Sequence, residues 1–345
     1  MAATGWPTRV EWVEDRYSRG LYPAIQRVMT GISNAVPFAL LDVLIIAAAG
    51  AVLFGLFAAL HAPQDGRWRA LGRLATHGLV AGSALYLVFL LAWGLNYRRE
   101  SIEARLEFDE SLVTTESVVA LNDAAIAELA RLRPLLPESR GGWPKADDVA
   151  RGLAGPLAEG ARLFGLPGLV TPGRPKRTIL DPYFARAGVS GLTDPFFLET
   201  LLPSNLLPFE LPSVVAHEWG HLAGFARESE ASLFGLAVCL RGDDAAQYSA
   251  WLNVFGHTLG ARDGEGRREA RGRLPAAVRA DLEAMAARSA RDQVRSIQRA
   301  AWRTYDRYLR SQRVSSGVAD YGEVVRLIAG TRFAPGWTPV LRARR

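Results

Sequence analysis

Two uninterrupted apolar runs constrain this chain more than any other feature. Phe38 to Leu60 reads FALLDVLIIAAAGAVLFGLFAAL, with one charge, Asp42, near its start, and Gly78 to Leu95 reads GLVAGSALYLVFLLAWGL, with none. Crossing a hydrocarbon layer takes roughly 20 apolar residues in a helix. The runs therefore predict a two-helix transmembrane hairpin, with spans over 38–60 and 78–97 and the lipid bilayer as a partner. Trp93 and Tyr97 close the second span with residue types that favour the membrane interface. Small residues in both runs (Ala47, Ala51 and Gly55; Gly78 and Gly82) predict close helix packing. Asp42 reads as a solvated interfacial carboxylate, near enough to a helix end to stay out of the hydrocarbon.

The flanks suggest an orientation. Residues 1–37 carry mixed charge and read as an amphipathic segment, not a cleavable signal peptide. With two spans, that segment and residues 98–345 lie on one side. The loop over 61–77 is basic, with Arg67, Arg69 and Arg73 against Asp65. The positive-inside rule then makes the loop cytoplasmic and the C-terminal domain extracytoplasmic, while Arg98, Arg99 and Arg105 pull the other way. A length of 345 residues leaves room for the hairpin and one sizeable domain. The lone Cys239 excludes an intrachain disulfide and a cysteine-rich zinc cluster. The formal charge of +6 comes from arginines spread along the chain, a pattern that argues against nucleic acid.

The domain over 98–345 reads as mainly α with a minor β component. Val118, Leu121, Ala125, Leu129 and Leu132 recur at helical spacing, and helices are expected over 275–311 and from about Tyr321 to Ala329. Short strands are expected at Arg177–Leu180 and within Gly191–Leu202, the latter as an edge where Glu199 lines a cleft and an extended peptide can pair.

The chemistry concentrates in His217-Glu218-Trp219-Gly220-His221, a HExxH motif following a proline-marked helix start at Pro212. Histidines four apart on a helix aim both imidazoles from one face at one metal, here Zn²⁺. Glu218 stands beside them as general base and then acid. A catalytic zinc site wants a third protein ligand. Gly224 matches the metzincin pattern HExxHxxGxxH, but Arg227 occupies its third-histidine position. The next acids are Glu228 and Glu230, which point about 200° apart on one helix. Glu228 is favoured because a polar residue, Ser232, follows one turn later, as in the ExxxD arrangement of gluzincins; Glu230 is the substitute ligand. Ser232 is then expected behind a histidine ligand. Tyr321, Tyr308 and His257 are candidate oxyanion donors, each competing with a plain packing role.

Further segments carry a family resemblance: Val10-Glu11, Tyr17 to Pro23, Pro37-Phe38, Trp93 to Arg98, His217 to Ala231, then Tyr308-Leu309, Gln312, Gly317-Val318, Tyr321 and Val325. On these the chain resembles the bacterial membrane family called domain of unknown function 3810. The resemblance spans nearly the whole chain and implies a membrane-anchored protein with a zincin-like domain, without naming a substrate. Members usually have asparagine where this chain has Ser232, and tend to carry a further N-terminal span. Together these readings lead to an expected gluzincin-like zinc metallopeptidase of the bacterial inner membrane acting on a peptide or protein. The alternative is a non-catalytic metal-binding sensor or scaffold with a degenerate zincin domain.

Overall fold

In the computed structural model, residues 9–138, 140–312, 314 and 323–342 are described. The chain enters through α1 (Val10–Trp12), a π-helical stretch (Val13–Leu21) and α2 (Tyr22–Asn34), which run on as one rod with Pro23 in the first turn of α2. Val13, Tyr17, Tyr22, Gln26, Thr30 and Ser33 are buried along one side. Their partners lie far along the chain: Tyr22 Oη donates to the Leu222 carbonyl at 3.0 Å, Gln26 Nε2 to Thr171 at 2.8 Å and Thr30 Oγ1 to Leu198 at 3.0 Å. The amphipathic 1–37 segment is thus part of the body of the protein over its described residues. Its stripe mixes apolar with polar groups, which bond protein in place of facing lipid headgroups.

Helices α3 (Leu40–Leu60) and α4 (Gln64–Ala92) are each long and apolar enough to cross a membrane. Neither is covered by protein: Leu53, Phe54 and Leu79 are 67–73% exposed. Helix α4 begins well before Gly78, so Arg67, Arg69 and Arg73 occupy its first turns and not an open loop; charge alone does not break a helix. It also ends earlier than expected, and Trp93, Asn96 and Tyr97 are buried in and beside a 3₁₀ turn (Gly94–Arg98). Of the glycines expected at the hairpin contact, one takes part. Gly55 receives the Leu74 side chain, whereas Gly78 and Gly82 face nothing within 4 Å.

The remaining helices are α5 (Ile102–Arg105), α6 (Thr115–Leu132), α7 (Ala146–Leu163), α8 (Asp181–Ala187), α9 (Leu211–Leu222), α10 (Glu228–Cys239), α11 (Asp244–Thr258), α12 (Gly264–Arg273), α13 (Ala276–Asp292), α14 (Arg295–Ser311) and α15 (Glu323–Gly330). A three-stranded sheet lies beside α9 in the order β1 (Pro175–Lys176), β3 (Glu199–Leu201), β2 (Leu192–Asp194), parallel then antiparallel; β4 (Phe333–Ala334) and β5 (Thr338–Pro339) pair near the C-terminus. Arg177–Leu180 is not a strand, because the chain is already turning into α8 with Pro182 in its first turn. Gly191–Leu202 holds two strands, which makes β3 central and leaves β2 as the edge. Glu199 therefore lines no cleft. Buried with Lys176 Nζ at 2.7 Å, it accepts the Leu40 and Leu41 amides, each at 3.0 Å, and so caps α3 where the helix dipole favours an anion. Asp42 is likewise structural, accepting from Thr178 Oγ1 at 2.6 Å and the Ile179 amide at 3.0 Å.

Candidate metal centre

Helix α9 is the axis of the core, with Val215, Ala216, Trp219 and Leu222 all buried. Its end is set by Gly224, at φ +87°, the left-handed conformation that glycine adopts without strain. The Gly224 amide donates to the His221 carbonyl at 2.9 Å and the Phe225 amide to Gly220 at 3.1 Å, the paired bonds of a Schellman stop. The chain reverses there, and α10 starts at Glu228. Two glycines let the helices touch backbone to backbone. A Cβ on Gly220 would lie 2.8 Å from the Ala231 carbonyl oxygen, and one on Gly235 would lie 2.9 Å from the His217 nitrogen. Phe225 and Phe234 pack across the turn, their rings tilted with centroids 5.2 Å apart.

This closeness delivers Glu228 to the two histidines. Glu228 Oε2 lies 3.1 Å from His217 Nε2 and 3.4 Å from His221 Nε2. One ligand atom from each of the three residues lies within 4.8 Å of the others. Ligands at roughly 2.0–2.1 Å on tetrahedral zinc stand about 3.3 Å apart, so the two Glu–His spacings and the N, N, O donor set fit that ion. The outer atoms are also held. His221 Nδ1 donates to the Phe225 carbonyl at 2.8 Å, directing Nε2 inward. His217 Nδ1 lies 3.1 Å from Ser232 Oγ, and Tyr305 Oη donates to Glu228 Oε1. Burial resists ionisation of Glu228, but the charges and hydrogen bonds of the two imidazoles outweigh it and hold the carboxyl well below the usual range. For His221 burial favours the neutral ring, yet Glu228 pushes it up to about 9.

Glu218 is buried on the β2 side. The Thr193 hydroxyl stands 2.8 Å from its Oε2 and 2.9 Å from its own carbonyl oxygen. Gly191 makes room for the carboxylate, since a Cβ there would lie 2.4 Å from Glu218 Oε1. Burial raises the Glu218 pKa despite the neighbouring imidazoles, the direction a proton-carrying group requires.

Among the sequence-predicted residues, His217, Glu218, His221, Glu228 and Ser232 converge. Glu230 does not join them: its Oε1 accepts the Ile102 amide at 3.0 Å, capping α5. Tyr308 stacks on Tyr305 and meets Phe89 and Tyr97 edge-on, as a packed aromatic. His257 lines a cleft with Ser232 beside the histidines, and Tyr321 lies outside the described residues. Tyr305, Thr193 and Gly191 were not singled out from the sequence. Tyr305 falls one helical turn before Tyr308 in α14, which was the available signal; nothing local marks the other two.

The architecture is that of a mainly helical protein with two uncovered apolar helices and a His–His–Glu cluster at its core. The chain belongs to the family described as protein of unknown function (DUF3810), whose model matches residues 17–329. No curated protein and no solved structure matches it.

Proposed function

We propose that this is a zincin-like, zinc-dependent peptidase anchored in the bacterial inner membrane by α3 and α4. The observation supporting this is the convergence of His217, His221 and Glu228 with their outer atoms fixed, beside a buried acid whose proton affinity is raised. Bound there, Zn²⁺ would supply a Lewis acid and lower the pKa of a ligated water to about 7. Glu218, oriented by Thr193 and Gly191, takes the proton from the attacking water as its oxygen bonds the peptide carbon. It returns that proton to the nitrogen as the C–N bond breaks, so an acid and an amine leave. Strand β2, which carries Thr193, is an edge of its sheet, where an extended substrate would pair.

The buried contacts of the arginines beyond α4 bear on orientation. Arg99 and Arg105 both pair with Glu14 inside the body, so they are not free juxtamembrane charges. Arg67, Arg69 and Arg73 remain on the opposite turn of the hairpin, which favours a cytoplasmic turn and an extracytoplasmic metal centre. The test is cleavage of a peptide library by the zinc-loaded full chain, read by mass spectrometry. Wild type is expected to cut and Glu218→Gln to retain zinc without cutting. Full zinc occupancy with no cleavage by wild type would turn the reading toward a sensor or scaffold.

A further inference from the structure

We propose that the metal centre lies at the bilayer surface and that its substrates are membrane-tethered polypeptides, cut within a few residues of where they leave the lipid. This rests on reading α3 and α4 as spans and the centre as a peptidase. Both apolar helices reach the site directly, with no linker between membrane and chemistry. Helix α4 ends at Ala92, and the next residue, Trp93, donates its indole N–H to the His221 carbonyl at 3.3 Å. Its ring stands edge-on to the His221 imidazole with centroids 6.0 Å apart. Leu91, 59% exposed, precedes Trp93 by two residues, about 3 Å along the helix axis. A metal ligand thus sits within one helical turn or so of an apolar surface that only lipid would cover.

The other helix brackets the site from the strand side. Leu41 packs with Phe184 and Leu201 in a small apolar cluster that also draws in Leu44, Ile45 and Leu192. Leu192 belongs to β2, between Gly191, which fits the Glu218 carboxylate, and Thr193, which bonds it. The edge offered to a substrate is therefore packed with the second turn of a span. Beside it Ile179 and Tyr183 are about half exposed, with exposed Arg177 and Arg186 close in sequence. Apolar tips among arginines suit the headgroup layer. A polypeptide leaving the bilayer next to β2 is confined to the layer that holds the site, which raises its local concentration there. A free peptide gains nothing from that geometry and must approach past the lipid.

Two measurements on the full chain in phosphatidylcholine vesicles test this. In a Cys239→Ala background, nitroxides are placed at Leu53→Cys, Ile179→Cys, Tyr183→Cys and, on the charged helix α12, Arg268→Cys, and depth is read from accessibility to oxygen against a soluble nickel chelate. The expectation is Leu53 deep, 179 and 183 at the headgroup level and 268 in water. If 179 and 183 match 268 while Leu53 is deep, the placement is overturned but the spans stand. If Leu53 itself is open to nickel, spans and placement fall together. The second measurement takes one cleavable sequence presented free, on a transmembrane helix through about 4 residues, or through about 30. The short tether is expected to be cut about tenfold faster than the other two. Equal rates overturn the substrate claim alone. Failure of zinc-loaded wild type to cut any of the three removes the peptidase reading and the substrate claim with it, while the label depths still decide where the centre lies.

Discussion

Helices α9–α10 and α3–α4 are both antiparallel pairs rich in apolar residues, and they end in opposite environments. In α9–α10 the backbones touch at Gly220 and Gly235, and no residue of the pair is fully exposed, His217 and Ser232 being among the few only partly covered. In α3–α4 Gly55 meets the Leu74 side chain, and Leu53, Phe54 and Leu79 stay bare. Apolar composition says that a helix leaves water; what replaces water is decided by packing. The core pair can also hold His221, Glu218 and Glu228 because each finds partners there, whereas the bare pair keeps its two acids at helix starts, Asp42 in α3, bonded out to Thr178, and Asp65 in the first turn of α4.

The largest expected effect breaks the core pair. Gly220→Ala sets a Cβ against the Ala231 backbone, which cannot rotate away, and should cost about 3 kcal/mol and the metal site. Gly55→Ala meets only the Leu74 side chain and should cost under about 1 kcal/mol. Denaturation in detergent of both variants reads the difference; equal losses would mean that the two interfaces are not distinct. Within α10 the contrast sharpens to two residues. Glu228→Ala should abolish zinc binding measured by titration. Glu230→Gln should keep zinc while losing roughly 1–3 kcal/mol, because its buried carboxylate caps α5.

Smaller effects concern the outer contacts of the ligands. Ser232→Ala leaves His217 Nδ1 without its hydroxyl and should weaken zinc binding roughly 10–100-fold, with Glu218-dependent turnover retained at saturating zinc. Proton competition makes the smallest step when counted per pH unit. In the metal-free protein His221 is pushed up to about 9, so its pairing with Glu228 stabilises fully below the unfolded value near 6.5 and is lost as pH rises through 9. Zinc affinity should rise about tenfold per pH unit across that window, with one proton released per ion bound. Calorimetry in buffers of different ionisation enthalpy counts that proton.

The motif helix and the placement of Glu228, not Glu230, beside the histidines were legible because they depend on local periodicity: histidines four apart and one turn from Glu228 to Ser232. The roles of Thr193, Gly191 and Tyr305 were not, because each is defined by a partner 25 to 77 residues away, and the π-helical entry was not because its contacts reach farther still, Arg19 bonding the Gly165 carbonyl. Glu199 misled for the same reason. Its strand lies near the motif in sequence, but the carboxylate points to Lys176 and the start of α3. The amphipathic stripe of residues 10–34 was visible as a pattern, while what it packs against was not.

The central claim is the metal centre itself. Elemental mass spectrometry on the full chain, purified in detergent without chelators, should find about one zinc per polypeptide in wild type and in Glu230→Gln, and none in His217→Ala or Glu228→Ala. Zinc-free wild type, or zinc retained after loss of His217 or Glu228, would contradict the account.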